Sequence, residues 1–252
     1  MCVLFLMKGE QMLKAVFFDL DGTLLPMDEE KFTKYYFKLL CERMIPYGFD
    51  PEKLVEVIWG GTKEMYKNDG TKTNEERFWD FFEKVYGTKS LIHKNHIDEY
   101  YVNEFRQTAN ACMPNPLARD IIEYCKKEVD YVVLATNPIF PRAGTLTRMS
   151  FVGLKEEDFD FVTTYENSSY SKPNPKYFIE LLNKFNLKPE EVILFGNNNY
   201  EDATCAKMAG IKCYLVGDFI INHPKVTESF PIITMQEVIA TIIKEKEVRS
   251  NA

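Results

Sequence analysis

Short apolar runs recur along the chain at Ala15–Phe18, Tyr131–Ala135, Phe159–Thr163, Val192–Phe195 and Lys212–Val216. Most are rich in Val, Ile, Phe or Tyr, and several are apolar throughout instead of alternating. Strands covered on both faces have that character, so the runs predict the centre of a parallel sheet. Between the later runs the apolar spacing lengthens to that of helices. Leu117, Ile121, Ile122, Tyr124 and Cys125 share one broad face of the stretch from Pro116 to Lys127. Asn174 predicts a helix cap with Pro175 in the first helical position, and the pattern runs on through Tyr177, Phe178, Leu181, Leu182 and Phe185. Asp202–Ala209 predicts another helix, stopped by Gly210, and Met235–Lys246 a closing one. Strands alternating with helices predict an α/β fold with a doubly wound parallel sheet.

The segment from Asp28 to Gln107 breaks this alternation. It follows the first strand but carries helical patterns, such as Phe32-Tyr35-Tyr36-Leu39-Leu40 and Phe78-Phe81-Phe82-Val85. Thr73 with Glu76 resembles a capping box before the second. Residues 28–107 therefore read as an inserted helical cap domain, and residues 1–27 and 108–252 as the α/β core. Gly60-Gly61-Thr62-Lys63 reads as a helix break, or else as a loop dipping towards a cleft with Lys63 or Lys67 near an anion. The tail from Glu247 onward predicts a frayed end.

Composition narrows the class. The chain is 45% hydrophobic and 27% charged, which suits a folded soluble protein. No stretch approaches the ~18 apolar residues of a membrane span. The apolar opening from Met1 to Met7 has no basic lead-in and is cut short by Lys8, Gly9 and Glu10, so it is not a secretory signal. Residues 1–11 read as an upstream extension, with Met12 beginning the useful chain. A net charge of −7 argues against general nucleic-acid or membrane partners. A small anionic substrate stays open, because a lysine, amides and a metal can reverse the field inside one cleft. The 6 cysteines form neither CxxC pairs nor zinc spacings and read as free thiols of a cytoplasmic protein.

Candidate chemistry begins at Val16-Phe-Phe-Asp-Leu-Asp-Gly-Thr-Leu24. A strand delivers Asp19 to its carboxyl end, and in extended chain Asp21 points the same way. Gly22 then lets the backbone turn. Paired carboxylates suit a hard cation such as Mg²⁺, and a carboxylate can attack phosphorus while its neighbour moves protons. Asp-Gly after a strand is also an ordinary turn. A calcium loop from Asp19 to Glu30 is excluded, since Leu24 stands where the turn glycine belongs and a strand, not a helix, precedes it. Further on, Thr136-Asn137-Pro138 puts a hydroxyl and amides at a strand's carboxyl edge, and Lys172 stands shortly before a helix start. Asn197, Glu201 and Asp202 follow the strand ending at Gly196. Each also has a bland reading: a turn, a solvated lysine, a set of helix caps.

Taken in order, DLDGT, LATN, SKPNP and the strand-Gly-polar loop ending at Asp202 resemble the four motifs of the haloacid dehalogenase-like hydrolase superfamily. The resemblance spans residues 15–216, with the helical insert where one class of family cap domain lies. It implies that Asp19 is nucleophile and metal ligand, and that Asp21 is general acid and base with its main-chain carbonyl on the metal. It implies that Thr136 and the Asn137 amide hold phosphate oxygens, that Lys172 steadies Asp19 and the transferring group, and that Asp202 supports Mg²⁺ through water. An acid at Asp21 points to phosphate esters instead of dehalogenation. One departure stands out: the family's usual Gly-Asp is Gly196-Asn197 here, so an amide replaces a carboxylate ligand, and weaker Mg²⁺ binding follows unless Glu201 substitutes. The expected function is a Mg²⁺-dependent phosphatase of a small phosphorylated metabolite. The alternatives are a degenerate relative that binds a phosphorylated ligand without useful turnover, and a phosphosugar mutase.

Overall fold

A computed structural model of the protein describes residues 12–250; the expected extension over residues 1–11 lies outside them. The strands are β1 (Ala15–Phe18), β2 (Tyr131–Leu134), β3 (Phe161–Val162), β4 (Val192–Gly196), β5 (Lys212–Val216) and β6 (Ile232–Ile233). They form a 6-stranded sheet in the order β3-β2-β1-β4-β5-β6, with every pairing parallel. The expected strands are present, β3 being shorter than its apolar run. The edge strand β6 is an addition. Strand order reverses at β1, so β1 and β4 leave a crevice beyond their carboxyl ends, where sheets of this kind hold ligands.

Alternation along the strands assigns the faces. Phe17, Val133 and Leu194 point to the layer containing α7 (Lys176–Phe185) and α8 (Cys205–Met208). Val16, Phe18, Leu134 and Phe195 point to the layer containing α5 (Ala118–Glu128), α6 (Arg142–Ser150) and α9 (Val238–Ser250). The end of α9 is not frayed as expected: the helix runs to Ser250, and Arg249 donates to the Val192 carbonyl at 3.4 Å. Helix α7 starts one residue later than predicted. Pro175 occupies its cap position, and Asn174 Oδ1 accepts from the Lys176 amide at 3.1 Å.

The chain between β1 and β2 supplies α1 (Glu29–Met44), α2 (Pro51–Tyr66), α3 (Asn74–Tyr86) and α4 (Lys94–Val102). The capping box on α3 is present, with Thr73 Oγ1 accepting from the Glu76 amide at 3.2 Å and Glu76 accepting from the Thr73 amide at 2.7 Å. Gly60 and Gly61 correct the expected break or loop, because both lie inside α2. Their role is close packing: a Cβ would come within 2.3 Å of Phe81 at Gly60 and 2.5 Å of Phe78 at Gly61. One apolar interior runs without interruption from Val16 and Phe18 of β1 through Phe32 and Tyr36 of α1 to Phe82 of α3. Burying each such ring stabilises the fold by roughly 1.5–3 kcal/mol. Among the described residues, no helix is long and apolar enough to cross a membrane, and Cys41, Cys112, Cys125, Cys205 and Cys213 are free thiols.

Candidate active site

Strand β1 ends at Phe18 and presents Asp19 beside the end of β4, where the Asp19 amide donates to the Phe195 carbonyl at 2.8 Å. Gly22 takes φ +77°, a left-handed turn that folds the chain back; a side chain there would strike Asn197, whose Nδ2 is 1.9 Å from the position of a Cβ. Lys172, buried at 1% exposure, bridges the end of β1 and the turn that follows β4. Its Nζ lies 2.8 Å from Asp19 Oδ1 and 2.5 Å from Asp202 Oδ1. The second Asp202 oxygen accepts from the amides of Asn197 and Asn198, each at 3.0 Å. That approach needs Gly196, since a Cβ there would lie 2.5 Å from the Asp202 carboxylate. The predicted helix over Asp202–Ala209 opens instead as a wide π-helical turn, Asn199–Thr204, before α8. Asn198 caps it, accepting from the amides of Tyr200 and Glu201 at 2.9 and 3.1 Å.

Desolvation opposes the charge on Lys172, but Asp19 and Asp202 outweigh it and lift its pKa well above the ordinary value. Burial raises Asp19 above the usual carboxylate range, against the pull of Lys172, with Asp202 and Asp21 adding to the rise. One ammonium does not neutralise two buried carboxylates. The cluster therefore favours a further cation or a proton.

Thr136 is buried, and its carbonyl is pinned by Thr163 Oγ1 at 2.7 Å and Tyr177 Oη at 2.9 Å. Asn137 Nδ2 donates to Glu201 Oε2 at 2.9 Å and reaches the Lys172 carbonyl at 3.3 Å, while its Oδ1 is buried without a partner. Thus Asp19, Asp21, Thr136, Asn137, Asn197, Glu201 and Asp202 all line one cavity of about 260 Å³, with Lys172 beneath it.

Some expected ligands are engaged elsewhere. Among the described residues, no group of three or more His, Cys, Asp or Glu side chains is gathered as a metal centre. Asp202 has both oxygens occupied, as above. Glu201, the candidate to replace the missing acid, accepts from Asn137 at 2.9 Å and from Tyr66 Oη at 3.5 Å. Asn197 donates its Nδ2 to the Phe219 carbonyl at 2.8 Å, a bond that a carboxylate would turn into repulsion. Asp19, Asp21 and Asn197 nonetheless line the same cavity and carry oxygen donors of the kind a hard cation takes. The orphaned Asp21 Oδ1 also marks this end of the cavity as built for a ligand.

Arg148 escaped the sequence reading. It is 1% exposed on α6, stacks over Phe140 at 4.2 Å and pairs through Nη1 with Asp21 Oδ2. The available signal was a cation on the buried stripe of an amphipathic helix, beside Thr145 and Met149. Arg142, shortly after the second motif, pairs with Glu156 at the surface. Lys63 and Lys67 are not among the residues lining the cavity, and Lys67 pairs with Glu64 at 3.0 Å.

Comparison with known proteins adds an independent line. Residues 16–216 match the haloacid dehalogenase-like hydrolase family. A glyceraldehyde 3-phosphate phosphatase of Pyrococcus furiosus is 27% identical over 206 residues, 79% of either chain. A phosphorylated carbohydrates phosphatase of Thermotoga maritima is 25% identical, over 79% of this chain and 83% of its own. The crystal structure of a HAD phosphatase from Thermococcus onnurineus shares the fold, with a TM-score of 0.58 and 18% identity over 92% of this chain and 99% of that one.

Proposed function

This chain belongs to the haloacid dehalogenase-like hydrolases, and from that premise we propose that it is a Mg²⁺-dependent phosphatase of a small phosphorylated metabolite, working through an aspartyl phosphate at Asp19. The observation that carries the reading is the buried Lys172 ammonium held between Asp19 and Asp202 at the rim where β1 and β4 end. In this reading Asp19 attacks phosphorus, and Lys172 keeps it oriented while offsetting charge on the transferring group. Thr136 and the amide of Asn137 hold non-bridging oxygens. Asp21 protonates the leaving oxygen and then takes a proton from the water that clears the acyl phosphate. Its present pairing with Arg148 leaves Oδ1 free for that work. Asp19, the Asp21 carbonyl and Asn197 would hold Mg²⁺, with Asp202 fixing Lys172 behind them. A bound Mg²⁺ supplies charge neutralisation to the phosphoryl group. The helical insert, residues 28–107, serves as the cap that covers the leaving group.

A panel of phosphate esters that includes glyceraldehyde 3-phosphate, assayed with and without Mg²⁺, tests this directly. Wild type turns over at least one ester in Mg²⁺, and Asp19→Asn falls at least ~10³-fold. Equal rates for the two proteins would select the other reading, binding without turnover, which the Asn197–Phe219 bond favours. Transfer of phosphate to a second hydroxyl, in place of its release, would select a mutase.

A further inference from the structure

Ten of the residues lining the cavity are aromatic, among aliphatic neighbours such as Ile58, Ile97 and Ile139. Phe37 and Trp59 meet at 5.4 Å between ring centroids, Phe78 and Trp79 at 5.3 Å, and Tyr66 and Phe140 also line the space. Trp59 is 52% exposed, an uncommon state for so large a ring unless something covers it. The charges in the lining are of one sign. Asp19, Asp21, Glu29, Glu201 and Asp202 line the cavity, and no Lys or Arg is among the described residues that do. Lys172 is spent on Asp19 and Asp202, and Arg148 on Asp21. Glu29 is exposed on the helix surface, yet desolvation beside the cavity, then Asp21, Glu201 and Asp202, raise its carboxyl to about 7, so the space already resists one more negative charge.

We propose that this lining selects a phosphate monoester whose alcohol carries an apolar, ring-sized body and no second anionic group. The proposal rests on the reading that the ester's phosphate seats at Asp19. A volume of about 260 Å³ suits a single ring with its phosphate and sits just below the usual range for small-molecule pockets. Aromatic walls reward a flat apolar group by contact and by exclusion of water. A second phosphate or a carboxylate in the same place would face Glu29 and Glu201 without a counter-charge, at a desolvation cost nothing offsets.

Three probes separate the features: benzyl phosphate, 4-carboxybenzyl phosphate and glycerol phosphate. All are alkyl esters, so their leaving groups do not differ as aryl and alkyl ones would. Binding is measured by calorimetry on Asp19→Asn, with and without Mg²⁺, and kcat/KM on wild type. Benzyl phosphate should bind at least ~30-fold more tightly than its carboxylate analogue and at least ~10-fold more tightly than glycerol phosphate. Trp59→Ala should remove about tenfold of the benzyl preference. Glu29→Lys, at an exposed first-turn position of α1, should shrink the carboxylate penalty to about threefold or less. Equal binding of the two benzyl esters, or tightest binding of glycerol phosphate, would overturn the proposal. Selective binding of benzyl phosphate without wild-type turnover would support it while removing the phosphatase reading. Failure of every ester to bind would remove both.

Discussion

Replacing Arg148 by methionine keeps much of the buried volume but strips Asp21 of its cation and the Thr145 hydroxyl of its guanidinium partner. Asp21 retains 26% side-chain exposure, so water recovers part of the loss. We expect Arg148→Met to lower unfolding stability by about 1–3 kcal/mol, read from chemical denaturation at neutral pH. Glu29 gives a prediction with a sign. Its proton is held more tightly in the folded protein, with the pKa raised from 4.5 to about 7. Its stabilising contribution is therefore complete below its unfolded pKa and is lost as pH rises through about 7. Glu29→Gln cannot ionise, so its melting temperature should gain on wild type between about pH 5 and pH 8. A gap that stays constant across that range would contradict the shift. At this scale the letters singled out Asp19, Asp21, Thr136, Asn137 and Lys172 as candidates, because each stands at or just past a strand end or shortly before a helix. Arg148 was not legible. Its partner lies 127 residues away, and only the fold brings them together.

Among the elements, the central strands were readable because they are covered on both faces and therefore apolar without a break. The edge strand β6 has two residues and no such run, so it left no signal. Helix α2 shows the opposite failure. Adjacent glycines usually mark an interruption, yet here tertiary packing decides, with α3 laid so close that only hydrogen fits at Gly60 and Gly61. Alanine inside a helix ordinarily gains about 0.5–1 kcal/mol over glycine. At Gly61 the buried Phe78 ring stands 2.5 Å from the new methyl, and we expect Gly61→Ala to cost about 1–3 kcal/mol by denaturant titration. A stabilised variant would mean that contact with α3 does not constrain Gly61.

For the whole molecule, pattern alone indicated an α/β sheet with helices inserted after its first strand. It did not indicate how the insert is joined to the rest. Periodicity tells which face of a helix is apolar, not which neighbour will cover that face. The structure supplies the answer through Phe32, Tyr36 and Phe105, which lie in the same cluster as the β1 residues Val16 and Phe18. Tyr36 Oη and Tyr101 Oη lie 2.9 Å apart, and Tyr101 itself accepts at its carbonyl from Thr147 of α6 at 3.1 Å.

Such sharing bears on how the molecule melts. A cap with a separate oily centre would come apart on its own, leaving the sheet intact until higher temperature. Here, detaching the insert wets rings that also shield the sheet, so partial denaturation carries nearly the whole penalty without the full gain in chain entropy. Scanning calorimetry should accordingly show one endotherm, with the calorimetric and van't Hoff enthalpies in agreement.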